Sequence, residues 1–193
     1  MHKLIKIFFL TSIFASLLSI FFILITYLVI KPSLPEIKYV NESELQMPLK
    51  VYTKDRVLIG EFGEIKRRPT SFRDIPIDIR NAFLAAEDDN FFNHQGISYS
   101  GLIRSFIRCL QSSGCQGGGG TITMQVVRGY LLTPEQTIVR KIKEIFLALE
   151  LEGTNNKEEI FELYVNRIFL GNRSYGIEAA SNTYFNKSLS EIN

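Results

Sequence analysis

Apolar residues dominate the chain from Ile7 to Ile30, and no charge falls between Lys6 and Lys31. At ~1.5 Å rise per residue, a helix of these 24 positions reaches ~36 Å, enough to cross a ~30 Å hydrocarbon core with some tilt. A cleaved leader would carry a shorter apolar run, of ~7–15 residues, followed by a small-x-small site. Residues 26–35 offer no such site. The pattern therefore predicts a tail at 1–6, a transmembrane anchor at 7–30 and a linker at 31–48, punctuated by Pro32, Pro35 and Pro48. Leu49, Val51 and Tyr52, a Lys54-Asp55-Arg56 turn, and Val57-Leu58-Ile59 before Gly60 then read as two short strands. From Asp78 the period becomes helical, with Ile79, Phe83 and Ala86 on one face. A second apolar segment, Leu102 to Leu110, carries Arg104 and Arg108 four positions apart, and glycines 117–120 break the chain. Thr133-Pro134-Glu135-Gln136 reads as a capping box with proline at the first helical position, opening a stripe of Ile138, Ile142, Ile145, Phe146 and Leu149. Asn156-Lys157-Glu158-Glu159 gives a similar start. Ile160, Leu163 and Tyr164 face inward behind it, and Gly171 is the expected stop. The soluble part, 49–193, is thus expected to be mainly α with one small β element.

Charge changes the picture by its placement. The net charge is +2, and the excess lies in Lys3 and Lys6, because residues 31–193 hold equal numbers of basic and acidic groups. Twenty-two of the first 30 residues are apolar, against about 41% of the remainder. A strongly basic nucleic-acid binder and an acidic disordered tail are both excluded. The positive-inside rule places the two lysines in the cytoplasm and residues 31–193 outside it, with Tyr27 near the outer interface.

Several constellations are candidates for chemistry. Glu87, Asp88 and Asp89 crowd the end of a helix, where the macrodipole disfavours negative charge and raises a carboxyl pKa towards the range of a general acid or base. A solvated acidic helix end with His94 capping it explains the same residues. The run Gly117–Gly120 before Thr121-Ile122-Thr123, Gln125 and Arg128 suits an anion cradle, or simply a surface loop. It is no Walker A loop, because no Gly-Lys-Ser/Thr follows. Arg140 and Glu144 lie at i,i+4, where an ordinary helical ion pair of ~0.3–0.5 kcal/mol also accounts for them. Lys157 could be a surface charge, whereas Asn166 inside a helix suggests a hydrogen-bonding duty. Cys109 and Cys115 suit a small disulfide or two free thiols, and no His stands at zinc-ligand spacing.

Taken in order, these motifs are Glu87-Asp88-x-x-Phe91-x-x-His94-x-Gly96, Gly-x-Thr121-Ile-Thr-x-Gln125, Arg140-Lys141-x-x-Glu144, Lys157-x-x-Ile160-x-x-x-Tyr164-x-Asn166 and Arg173-x-Tyr175-Gly176-Ile177-Glu178-Ala179-Ala180. From about residue 49 onward the series resembles the peptidoglycan glycosyltransferase domain (glycosyltransferase family 51) of class A penicillin-binding proteins. The resemblance implies a two-lobed, lysozyme-like helical fold in an anchored protein of the inner membrane. It also implies polymerisation of lipid II onto a growing glycan, with undecaprenyl pyrophosphate as leaving group. By position, Glu87 matches the general base and Glu144 the second catalytic acid. Arg128, Arg140 and Lys141 match phosphate-binding positions, while Asp88, Phe91, His94, Thr121, Gln125, Asn166 and Glu178 match cleft-building ones. The resemblance further implies a divalent cation, magnesium, with unassigned ligands. Its implied partners are the membrane and other cell-wall synthesis proteins, and no nucleic acid.

Gly120, Met124 and Gln136 depart from the family's Ser, Gln and Arg. Family members continue past the last residues with further helices, so the domain is expected to be truncated. No Ser-x-x-Lys or Lys-Thr-Gly is present for a transpeptidase. The alternatives are a glycan-cleaving enzyme on the same fold and an inactive anchored scaffold.

Overall fold

A computed structural model of the chain describes residues 2–41, 49–63, 66–111, 120–135 and 137–192. Two compact units emerge, Met1–Glu36 and Ile37–Asn193. The first is the 29-residue helix α1 (His2–Ile30), continued by a 3-10 turn over Lys31–Ser33. Within it Lys6–Ser33 is long and apolar enough to cross a membrane. Phe8, Phe14 and Phe22 stand exposed on α1, as lipid-facing side chains would.

The second unit begins with the short helix α2 (Lys38–Asn41), whose Val40 is buried and which packs on α5 (Ile122–Leu131). Strands β1 (Leu49–Tyr52) and β2 (Leu58–Phe62) form the expected antiparallel hairpin. Its turn is closed by Thr53, whose hydroxyl accepts from the Val57 amide, with Arg56 in the left-handed region at φ 62. A second, parallel pair was not foreseen: β3 (Lys66–Arg67) runs beside β4 (Ser174–Tyr175). Two-residue strands are too short to show alternation. The helices are α3 (Ile77–Glu87), α4 (Tyr99–Gln111), α5, α6 (Ile138–Thr154), α7 (Lys157–Arg167) and α8 (Ile177–Phe185), so the fold is mainly α.

The core lies where α5 packs against α6 and α7. Ile122, Val126, Val127, Leu147, Leu151, Ile160, Phe161 and Val165 are buried there, and each large apolar side chain contributes ~1.5–3 kcal/mol. Three local expectations change. Helix α6 starts at Ile138, capped by the Thr137 hydroxyl accepting from the Arg140 amide, so Thr133-Pro134 belongs to the preceding loop. The buried face of α6 is Glu144, Leu147, Ala148 and Leu151, whereas Ile138 and Leu149 are exposed. Apolar residues occur on both faces of α6, and tertiary packing selects one. Helix α7 carries the expected capping box, Asn156 with Glu159, but ends at Arg167 rather than near Gly171. Gly171 serves the following turn instead, at φ +87, with the Tyr184 hydroxyl 2.6 Å from where a Cβ would stand. Gly117–Gly119, Cys115 and Gln136 lie outside the described residues, and with them the disulfide expectation.

Candidate functional site

Helix α3 ends at Glu87 and its C-cap is Asp88. The two adjacent carboxylates face opposite situations. Asp88 is buried, with both oxygens 3.0 Å from His94 Nε2, and its Oδ2 also accepts from the Ile122 amide at 3.1 Å. That amide belongs to the first turn of α5, so a carboxylate from α3 already answers one of the free N–H groups there. Thr121 completes the junction. Its hydroxyl donates to the Gly96 carbonyl at 2.6 Å and accepts from the Met124 amide at 3.1 Å. Gly96 is required at this crossing: its φ is +78, and a Cβ would stand 2.9 Å from the Ala148 carbonyl oxygen.

Phe91 is wholly buried beneath this knot, edge-on to His94 and against Phe161. Lys157 is no loose surface charge. Its ammonium pairs with Glu152 at 2.7 Å and sits 4.4 Å from the Phe91 ring centroid, while Thr123 donates to the same Glu152 oxygen at 2.6 Å. Asp88, Phe91, His94 and Thr121 therefore form the support of the site, behind its surface.

Glu87 is exposed, and its Oε2 accepts from Gln125 Nε2 at 2.8 Å. It opens on a groove of about 350 Å³ lined also by Phe83, Arg128, Gly129, Tyr164 and Arg167. The Tyr164 phenol is pushed well above its ordinary range, first by burial and then by the Glu87 charge, with Arg128 pulling the other way. Glu87, Gln125, Arg128 and Tyr164 thus share one electrostatic environment.

Glu144 is almost fully buried on α6, and both its oxygens are engaged, Oε1 by Arg140 and Oε2 by Lys141 at 3.1 Å. The Lys141 ammonium lies 3.6 Å from where a Cβ on Gly120 would stand, so this cluster adjoins the start of α5. Asn166 and Glu178 work elsewhere. Asn166 clamps Thr70, accepting from its amide and donating to its carbonyl, both at 2.9 Å. Glu178 receives Asn182 Nδ2 and the Leu189 amide, each at 2.9 Å. Tyr164, in the fourth motif and expected to face inward, is buried beside Glu87, whereas Arg167 carries no sequence signal that places it at the groove.

Among the described residues no group of three or more His, Cys, Asp or Glu is placed to hold a metal ion. The ligands of the magnesium that the resemblance implies therefore stay unassigned among the described residues.

A family model described as transglycosylase matches residues 55–193. Penicillin-binding protein 1A of Pseudomonas aeruginosa is 51% identical over 86% of this chain and 20% of its own length. Penicillin-binding protein 1A of Escherichia coli is 38% identical over 98% of this chain and 22% of its own. The chain thus spans about a fifth of these curated relatives. The crystal structure of penicillin-binding protein 1A from Haemophilus influenzae aligns at 32% identity and a TM-score of 0.35, covering 77% of this chain and 13% of that one.

Proposed function

The chain belongs to the transglycosylase family, and from that premise we propose that it is a peptidoglycan glycosyltransferase which polymerises lipid II and releases undecaprenyl pyrophosphate. The observation that carries the reading is the Glu87 carboxylate. It stands exposed at a groove, oriented through one oxygen by Gln125, with Arg128 in the same groove.

In this mechanism Glu87 Oε1 accepts the proton of the acceptor sugar's 4-hydroxyl. The freed oxygen attacks the anomeric carbon of the donor as the bond to pyrophosphate breaks, and the bonding pair leaves on the pyrophosphate. Arg128, Arg140 and Lys141 neutralise the charge that develops there. Glu144, with both oxygens committed to Arg140 and Lys141, acts on the leaving-group side by fixing those two cations. Asp88, His94 and Thr121 hold the start of α5, and so hold Gln125 against Glu87. Tyr164 supplies the buried wall facing the base.

Helix α1 would anchor the protein in the inner membrane, with Lys3 and Lys6 on the cytoplasmic side and the catalytic unit outside. On α4, Tyr99, Ile103 and Ile107 repeat every fourth position and are exposed, the stripe expected of a helix lying in a membrane interface. Such a helix keeps the domain at the plane where a lipid-linked substrate is found. Incubating the full chain with lipid II tests the reading: wild type is expected to yield glycan strands and Glu87→Gln none. Release of soluble muropeptides from mature sacculi, without synthesis, would instead establish a glycan-cleaving enzyme.

A further inference from the structure

His94 supports the Glu87 groove through Asp88, and it also lines a second cavity. Its side chain is 8% exposed, and among the described residues its buried Nδ1 has no hydrogen-bond partner. Asp88 fixes the tautomer. A carboxylate that takes the Ile122 amide proton is an acceptor towards His94 as well, so Nε2 carries the proton of the neutral ring. Nδ1 is then a lone-pair acceptor, and a buried acceptor calls for a donor from whatever fills the space beside it.

This cavity, of about 450 Å³, lies at the foot of α4 and shares no lining residue with the Glu87 groove. Its walls hold no Asp, Glu, Lys or Arg; amides and hydroxyls stand there instead. Asn93 donates to Asn90 at 2.8 Å, and the Ser98 and Ser100 hydroxyls lie 3.1 Å apart in a hydrogen bond. Each pair is thereby oriented and keeps further donors and acceptors, which the Gln95 amide joins. Ile97, buried, and Leu149, 43% exposed, supply an apolar part. A charged ligand would give up water here for no counter-charge, and a purely aliphatic one would strand the polar wall. A neutral ring that carries hydroxyls and one small apolar group answers both.

We propose that the cavity is a saccharide-binding site outside the catalytic groove, and that it takes a neutral N-acetylhexosamine ring. A ring hydroxyl donates to His94 Nδ1, the amides and serine hydroxyls answer the others, and the acetamide methyl lies against Ile97 and Leu149. The site stands on the chemistry of the cavity. The glycosyltransferase reading adds only a source for such a ring, the glycan strand itself. Absence of synthesis from lipid II would therefore leave the site standing, and absence of saccharide binding here would leave that reading standing.

The test is a nuclear magnetic resonance titration of the full chain in detergent micelles, isotopically labelled at the histidine ring nitrogens, with tri-N-acetylchitotriose at about pH 8. The chain has two histidines, His2 and His94, and the His94 signals are those lost in His94→Gln. The Nδ1 resonance is expected to move saturably as that nitrogen accepts a hydroxyl. Leu149→Trp fills the cavity from an exposed position, and is expected to weaken binding about tenfold or more with an unchanged circular dichroism spectrum. Gln95→Ala should weaken it about fivefold, the loss of one neutral hydrogen bond. Maltotriose has the hydroxyls without the acetamide and is expected to bind more weakly; equal binding overturns the assignment to N-acetylhexosamine. An Nδ1 resonance that stays still with the chitotriose, or that moves as far in folded Leu149→Trp, overturns the site. A response to inorganic phosphate in place of the saccharide overturns the neutral ligand.

Discussion

Glu87 and Glu144 are the two carboxylates to which the chemistry is assigned, and their surroundings are opposite. Glu87 ends its helix exposed, with one oxygen held by a neutral amide and the other open to the groove. Glu144 lies mid-helix, 1% exposed, with a cation on each oxygen. A side chain that must take a proton from a bound molecule needs a free lone pair and access. A side chain that fixes two cations for a leaving group needs neither. In the proposed reaction one fold thus uses the same functional group once as a reactant and once as an anchor.

The sharpest way to break this contrast is to measure stability and turnover separately. Glu144→Ala leaves the part-exposed Arg140 and Lys141 without their acid and opens a gap in the buried face of α6, and is expected to cost about 2 kcal/mol, read as a lowered urea midpoint. Glu87→Gln, at an exposed position, should shift that midpoint by less than about 0.5 kcal/mol while abolishing glycan synthesis. If Glu144→Ala unfolds at the wild-type midpoint, the anchor description is wrong. A smaller effect is expected at Gln125. Its replacement by Ala removes a single hydrogen bond to Glu87, so lipid II turnover should fall about tenfold with little change in stability.

The smallest effect concerns Tyr164 in alkali. Its phenol is raised in the folded protein, so below the ordinary phenol range both states are neutral and its full contribution is present. Above about pH 10 the unfolded chain ionises first, and stability is lost as pH rises. Thermal midpoints measured between neutrality and alkaline pH should decline less steeply in Tyr164→Phe than in wild type. Equal slopes would remove Tyr164 from the buried side of the site.

What the sequence made legible was mostly local. The Asn156–Glu159 box needs only its own turn, and the β1–β2 hairpin only its own alternation. The buried face of α6 was hidden because Glu144 enters the core only by pairing with cations three and four positions earlier on the same helix. Polar periodicity reads such a glutamate as solvent-facing. The β3–β4 pairing and the seat of Arg167 on Gly129 join segments distant in sequence, and no local pattern announces them. Family motifs pointed to Glu87 and Gln125, whose contact spans 38 positions. They did not distinguish residues facing the groove from residues such as Phe91 that hold it up from beneath.

The clamp of Asn166 on Thr70 has a consequence for how the chain comes to its fold. Its two hydrogen bonds span 96 positions, and the nearby Phe72 amide is held by Glu162 across 90. During synthesis the stretch around Thr70 emerges long before its partners exist. The segment leading into α3, and with it the placement of Glu87, can settle only once α7 has left the ribosome. Loop closure over such distances is slow compared with local helix formation. The base of the site is therefore expected to be among the last parts of the domain to become ordered, and a chain arrested before residue 166 would carry Glu87 without the geometry that gives it a role.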